Sequence, residues 1–199
     1  MNPSLSAEIA SAAARLVVEE GMEYGQAKRK AAKVLGRHTT RPGELPDNGQ
    51  VEDEVRAYID LFLADTQPAE LLALRRVAAQ WMERMQEFRP YVTGAVWRGT
   101  ATRLNNVHLQ LYCDDSKEAE IALIGQSVGY DVATTTGPRN RQVDTLIVSS
   151  PSRELGEAVT VVLTILDHDD LRGALKPDER GLTERGNLAA LRKLMEATP

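Results

Sequence analysis

Acidic and imidazole side chains are concentrated in one short stretch, Asp167-His168-Asp169-Asp170, which follows the most apolar segment of the chain. Imidazole nitrogen and carboxylate oxygen together are ligands for zinc, manganese or iron. His108 is a further ligand if the fold places it near His168, which would make a histidine-carboxylate metalloenzyme. Alternatively, Asp169 or Asp170 caps a turn around residues 171–175. The stretch therefore predicts either a metal site or a capped turn after a strand.

A second segment, residues 94–109, combines glycines and arginines with polar positions that alternate along a strand. It reads GAVWRGTATRLNNVHL, and Asn106 and His108 point to one face because side chains alternate in a strand. The segment resembles the signature of the nucleotidyltransferase superfamily, the polymerase-beta-like fold of small antibiotic- and protein-modifying nucleotidyltransferases. Members carry a Gly-Ser pair, a short spacer and then Asp-x-Asp on the next strand. A frequent variant has Arg-Gly-Thr-Ala in the spacer, as at residues 98–101.

This resemblance implies an α+β fold with nucleotidyltransferase-like topology and a nucleotide as ligand. In the family the glycine brings the backbone close to a triphosphate, and the two carboxylates hold two magnesium ions. A third carboxylate on a later strand activates the acceptor hydroxyl, and Asp144 lies in the context expected for it. The nucleotide-binding residues expected on this basis are Gly94, Arg98, Gly99, Thr100, Arg103, Asn106 and His108.

Three residues depart from the family pattern. Ala95 replaces the serine, and Asn106 and His108 occupy the two carboxylate positions. Magnesium prefers hard, charged oxygen ligands, so neutral amide and imidazole groups are poor replacements. The leading hypothesis is a divergent nucleotidyltransferase-fold protein without conventional two-metal catalysis, which binds a nucleotide or a partner protein.

Two alternatives stay open for the same resemblance. In the first, the chain is an active nucleotidyltransferase with a relocated metal site, and Mg²⁺ is its cofactor. The metal ligands would then be Asp144 and one or more of Asp114, Asp167 and Asp169, whereas His168 belongs to the transition-metal alternative. In the second, Gly99-Thr100 takes the place of the Gly-Ser pair, with a shorter spacer before the strand.

The charge pattern argues against nucleic acid as the main partner. The net charge is −5, although a basic run at residues 28–41 loosely resembles a helix-turn-helix. These cations straddle their helix and no aromatic side chain interleaves with them, whereas a nucleic-acid-binding helix presents them on one face. The acidic stretch at residues 44–70 can pair with them, within one chain or between chains.

Hydrophobic periodicity predicts two regions. Residues 1–88 read as an N-terminal helical region, in which Ser6 caps the first helix. Residues 89–199 read as a mixed β-sheet core. The core strands are expected at 91–97, 106–113, 130–136, 143–149 and 159–166, followed by a charged loop at 167–186 and a last helix capped by Asn187.

Composition fits a cytoplasmic protein with a substantial core. The chain has 199 residues, of which 42% are hydrophobic and 27% charged. The single cysteine, Cys113, excludes an intrachain disulfide. The first ten residues carry no Lys or Arg, and the apolar stretch at 158–166 is too short to span a bilayer. The partners expected are therefore a nucleotide, a protein or a second copy of the chain, and not a membrane.

Overall fold

Four helices occupy the first part of the chain in the computed structural model, which describes residues 4–36, 44–172, 176–177 and 181–197. They are α1 (Leu5–Glu20), α2 (Tyr24–Val34), α3 (Asn48–Phe62) and α4 (Gln67–Arg84). All four were predicted from the periodicity of apolar residues. The part of the basic run at residues 37–41 lies outside the described residues. None of the helices described is long and apolar enough to cross a membrane.

Side chains at the helix ends fix where the first helices begin and stop. Ser4, rather than the predicted Ser6, caps α1. Gly21 ends that helix with φ +66°, a left-handed conformation that glycine adopts without strain. At the start of α3, Asp47 and Gln50 form a capping box in which each side chain accepts the other's backbone N–H. Such caps typically contribute about 1 kcal/mol each.

The chain divides into two compact units: residues 1–68 with 100–105, and residues 69–99 with 106–199. The division at residue 88 expected from the sequence stays a prediction. In the first unit, α1, α2 and α3 pack around a small apolar core that includes Ile9, Val17 and Val55. The segment 100–105 is joined to it by a hydrogen bond from Gln67 Nε2 to the carbonyl oxygen of Ala101, 2.8 Å long.

The second unit contains a six-stranded mixed sheet with the order β3-β4-β5-β2-β1-β6. The strands β2 and β5 are parallel, and the other neighbours are antiparallel. The strands are β1 (Tyr91–Thr93), β2 (Val107–Tyr112), β3 (Asp131–Thr136), β4 (Gln142–Ser152), β5 (Glu157–Leu166) and β6 (Arg185–Gly186). Three further helices are α5 (Gly94–Arg98), α6 (Ser116–Gly125) and α7 (Leu188–Glu196). The predicted α+β class with a mixed sheet is confirmed.

Strand register gives the sheet two different faces. Leu146, Leu163 and Leu109 are neighbours across β4, β5 and β2, and all three are buried. The residues between them point to the opposite side, which we call the polar face. Its members include Thr93, His108, Gln110, Tyr112, Thr145, Thr164 and Arg185. The polar face therefore carries the residue types that can bind a ligand.

Two predicted elements differ from the structure. The strand expected over residues 91–97 stops at Thr93, because Gly94 has φ +68° and starts α5 instead. The loop expected over residues 167–186 contains a short 3-10 helix, His168–Leu171, and the strand β6. Both differences lie next to the residues of the motif.

Candidate nucleotide site

The glycine and the strand of the nucleotidyltransferase-like motif meet on the polar face. Gly94 follows β1 directly, and its neighbour Thr93 is paired in register with His108 on β2. A Cβ atom added to Gly94 would lie 4.0 Å from Cδ2 of His108. Gly94 and His108 are therefore adjacent, as the resemblance implies, and the backbone at Gly94 is open for a close approach by a ligand.

The spacer after Gly94 is held by a buried arginine that the sequence analysis missed. Helix α5 ends at Arg98, and Gly99 caps it with φ +86° and an N–H bond to the Ala95 carbonyl of 2.9 Å. Nε of Arg75 on α4 donates to the carbonyl oxygen of Val96 at 3.2 Å. Burial lowers the pKa of this guanidinium. No local pattern distinguishes Arg75 from the surface arginines of α4.

Of the other predicted residues, Thr100 and Arg103 belong to the first compact unit and Asn106 to the second. Thr100 is buried, and its hydroxyl has no hydrogen-bond partner among the described residues. Arg103 is exposed in the following turn, in which the backbone N–H of Thr102 donates to Oδ1 of Asn105 at 2.8 Å. Asn106 is exposed immediately before β2.

Arg185 is the principal residue of the polar face that sequence reasoning missed. It lies on β6 opposite Thr93, and its Nη1 donates to Gln110 Oε1 and, at 2.7 Å, to the hydroxyl of Tyr112. The guanidinium side chain is 12% exposed. Its Nη2 also lies 3.7 Å from Oε2 of Glu184, whose side chain is exposed. Arg185 is therefore a nearly buried cation bound mainly by neutral acceptors.

Two buried polar atoms on the polar face lack a hydrogen-bond partner in the described part of the chain. They are Nε of Arg185 and Oγ1 of Thr145. Thr145 lies in the same row of the sheet as Gln110, with Thr164 between them. Buried polar groups in proteins are nearly always paired, so unpaired ones call for a missing partner such as water or a ligand.

A second ion pair lies at the end of β5. Asp170, with a side chain only 1% exposed, is paired with Arg141. Burial is the main cause of the raised pKa of the Tyr112 hydroxyl, and the charge of Asp170 contributes to it. Asp167, not Asp169 or Asp170, caps the following turn by accepting from the N–H of Asp169 at 2.8 Å. The predicted turn around residues 171–175 lies partly outside the described residues and stays a prediction.

Asp144 does not share a face with His108. On β4 the residue in the same row as His108 is Ile147, which is joined to it through Val162. Asp144 has the parity of Leu146 and therefore points to the other side of the sheet. The structure does not bring Asp144 together with Gly94 and His108, so a catalytic role for it would belong to a different site.

The predicted metal ligands lie around a cleft of about 250 Å³ at the carboxyl ends of β2 and β5. Asp114, Asp144 and Asp167 line it, together with Arg141 and Ser116. His168 lies near, with Nε2 at 4.0 Å from Asp114 Oδ1, and Asp169 is exposed beside Arg172. Within the described ranges, no three His, Cys, Asp or Glu side chains form a group that could hold a metal ion. The predicted metal ligand set stays a prediction.

The magnesium ions that the resemblance implies do not fit the donor set at the motif. The side chains on β2 and just before it that face the ligand side are Asn106, His108 and Gln110, and none is a carboxylate. Mg²⁺ is normally held by carboxylates and water in octahedral geometry. The nearby cation Arg185 would also repel a divalent ion. The polar face is suited to an anion instead.

Comparisons with known proteins give likeness to solved structures alone. No protein-family model matches the chain, and no curated protein matches it. A structure of Cid1 poly(U) polymerase with MgGTP is similar over 48% of this chain and 32% of its own, at 11% identity and TM-score 0.34. A structure of a cytoplasmic RNA terminal U-transferase is similar over 48% of this chain and 30% of its own, at 14% identity and TM-score 0.34.

A further structure, Cid1 with the UTP analogue UMPNPP, is similar over 51% of this chain and 31% of its own, at 14% identity and TM-score 0.33. The chain spans less than a third of the length of these three solved structures.

Proposed function

We propose that the chain is a divergent nucleotidyltransferase-fold module that binds the phosphates of a nucleotide on the polar face without two-metal catalysis. The observation that supports this proposal is the adjacency of Gly94 and His108, since Thr93, which precedes Gly94, is paired in register with His108. In this proposal Gly94 serves a phosphate loop, and Asn106 and His108 stand where the resemblance implies metal-binding carboxylates.

The electrostatics of the polar face support a direct contact with an anion. Asp170 is already paired with Arg141, whereas Arg185 is held mainly by Gln110 and Tyr112. A guanidinium can donate two parallel hydrogen bonds to a phosphate, which makes arginine the common choice for such contacts. In this proposal Arg185 supplies the positive charge that magnesium supplies in the family.

The neutral residues of the motif fit the same ligand. The amide of Asn106 and the imidazole of His108 can each donate a hydrogen bond to a phosphate oxygen. A carboxylate at either position would instead repel that oxygen unless a cation lay between them. The two substitutions are therefore consistent with one another, because both remove the need for a bridging metal.

Calorimetric titration of the full chain with ATP and with UTP tests the proposal. We expect binding in buffer containing EDTA, and no release of pyrophosphate when Mg²⁺ is added. Arg185→Gln should weaken binding by tenfold or more, about 1.4 kcal/mol. The control, Arg153→Gln, removes an exposed arginine of the turn after β4 and should leave the affinity unchanged. Absence of binding to either nucleotide would contradict the proposal.

An active nucleotidyltransferase with a relocated metal site is the second candidate. The cleft lined by Asp114, Asp144 and Asp167 favours it, because these carboxylates come from three different elements and meet at one end of the sheet. This candidate requires Mg²⁺-dependent release of pyrophosphate that is lost in Asp144→Asn. Turnover that survives this substitution would exclude it.

A further inference from the structure

We propose that the chain forms a dimer in which β3 pairs antiparallel with β3 of a second copy, which joins the two sheets into one. This inference is independent of nucleotide binding. It rests on three features of the β3 edge: its unpaired backbone, its exposed side chains and the charges at its two ends.

The outer edge of β3 lacks the features that normally prevent strand pairing. β3 is the terminal strand of the sheet, and among the described residues no strand lies on its outer side. It pairs with β4 one residue to one over all six positions, so it has no bulge. Its sequence, DVATTT, contains no lysine or proline. Natural edge strands are usually short, bulged or protected by such residues, because a free edge invites another strand.

The composition of the strand also favours pairing. Val132 and the three threonines at 134–136 are β-branched, which suits an extended backbone in a sheet. The sheet's other edge, β6, is only two residues long and offers little backbone. The β3 edge is therefore the place where this sheet can be extended.

Side chains at this edge are exposed on both faces of the sheet. Along β3 only Ala133 is partly covered, and Val132 is 58% exposed. The preceding helix α6 is joined to the residue before β3 by a hydrogen bond. The hydroxyl of Tyr130 donates to Glu120 Oε2 at 3.0 Å and fixes the entry of β3 beside this helix. Burying Val132 against a second copy would stabilise the pair by the hydrophobic effect.

Charges at the two ends of β3 select a second copy in antiparallel orientation. The strand begins with Asp131, and the turn that follows its end carries the exposed Arg139. In a two-fold antiparallel pair the start of one strand lies beside the end of the other, so opposite charges meet twice. The residues between them are uncharged and bring no like charges together. Such self-complementarity is the requirement for a two-fold interface.

Sedimentation velocity on the full chain tests this proposal. We expect a dimer, and we expect Val132→Lys to raise its dissociation constant by at least tenfold by placing like charges at the interface. Leu61→Lys is the matched control, since Leu61 is an exposed apolar residue of α3 in the other compact unit. A monomeric wild-type chain, or a dimer that Leu61→Lys disrupts and Val132→Lys does not, would overturn the proposal.

The position of the interface has its own readout. Cys113 is the only cysteine and is buried, so a new exposed cysteine is the single reactive thiol. Thr134→Cys, near the middle of β3, should form an intermolecular disulfide under mild oxidation, whereas Leu61→Cys should not. A dimer in which only Leu61→Cys is cross-linked would place the interface elsewhere and reject the β3 edge.

Discussion

Neither Asn106 nor His108 brings a negative charge to the polar face, and the proposed mode of ligand binding depends on this fact. With carboxylates at these positions, two divalent cations would be needed between the protein and a triphosphate. With amide and imidazole groups, the phosphate oxygens can accept hydrogen bonds from the protein directly. The two residues that depart from the family motif therefore suit the proposed direct binding of phosphate, without a metal ion between protein and ligand.

Gly94 is predicted to be intolerant of any side chain. Its φ of +68° costs an L-residue about 1–2 kcal/mol, and a Cβ would project towards His108. We expect Gly94→Ala to lower the free energy of unfolding by about that amount and to weaken ATP binding as well. The control is Gly125→Ala, at the end of α6, where a Cβ meets nothing within 4 Å. Equal effects of the two substitutions, measured by urea unfolding and calorimetry, would be inconsistent with this account.

Cys113 is predicted to be unreactive in the folded chain. Burial is the largest cause that raises the pKa of its thiol to about 11, and neighbouring acidic residues add to the shift. Since the folded pKa exceeds the unfolded value of about 8.5, this group stabilises the fold below that value and loses its contribution as the pH rises towards 11. Stability should fall over this interval in the wild type and less in Cys113→Ala, as measured by thermal unfolding at each pH. An identical pH profile in the two proteins would refute the assignment.

At the scale of elements, the short strand β6 depends on a close contact that positions Arg185. A Cβ atom at Gly186 would lie 2.1 Å from Cζ3 of Trp97. The indole of Trp97 donates to the carbonyl oxygen of Thr183 at 2.7 Å. The absence of a side chain at Gly186 therefore lets the indole of Trp97, on α5, pack against β6.

Gly186→Ala should displace Trp97 and with it the guanidinium of Arg185. We expect a red shift of tryptophan emission and a loss of ATP affinity of tenfold or more. Gly129→Ala, in open space, serves as the control and should change neither. Retention of full affinity in Gly186→Ala would show that β6 does not position the ligand.

Much of the fold followed from local patterns in the sequence. The strands β2 and β5 were predicted from alternation and from a β-branched apolar run, and α4 from its helical spacing. The boundary between β1 and α5 was not predicted. A strand and a short helix can both consist of apolar residues, and here only the positive φ of Gly94 separates the two elements. β6 was missed because two residues carry no pattern and acquire their strand character from pairing with β1.

The residues of the candidate site could likewise be predicted only where a local sequence motif includes them. Gly94 and His108 were found because a motif fixes their spacing. Arg185 could not be found, since it reaches the site through a strand pairing of high sequence separation. Asp144 was predicted at the same site from the family motif. The face of the sheet to which it points depends on the register of β4 against β5, which no local sequence pattern reveals.

At the scale of the sheet unit, the proposed anion site and the acidic cleft lie at separate places. Arg185 and the motif residues lie on the polar face, whereas Asp114, Asp144 and Asp167 line the cleft at the carboxyl ends of β2 and β5. We therefore expect Asp144→Asn to leave the ATP dissociation constant within about twofold of wild type, or about 0.4 kcal/mol. A larger loss in calorimetry would mean that the two places act as one site.

Restoring the family's carboxylates tests the central claim most directly. In the variant Asn106→Asp with His108→Asp, ATP titrations are compared in EDTA and in Mg²⁺, alongside the wild type. We predict that the wild type binds ATP equally well in both, while the variant loses at least tenfold in EDTA through repulsion of the phosphates and regains affinity with Mg²⁺. A wild-type chain that binds ATP only with Mg²⁺, or a variant that is indifferent to the metal, would contradict the account.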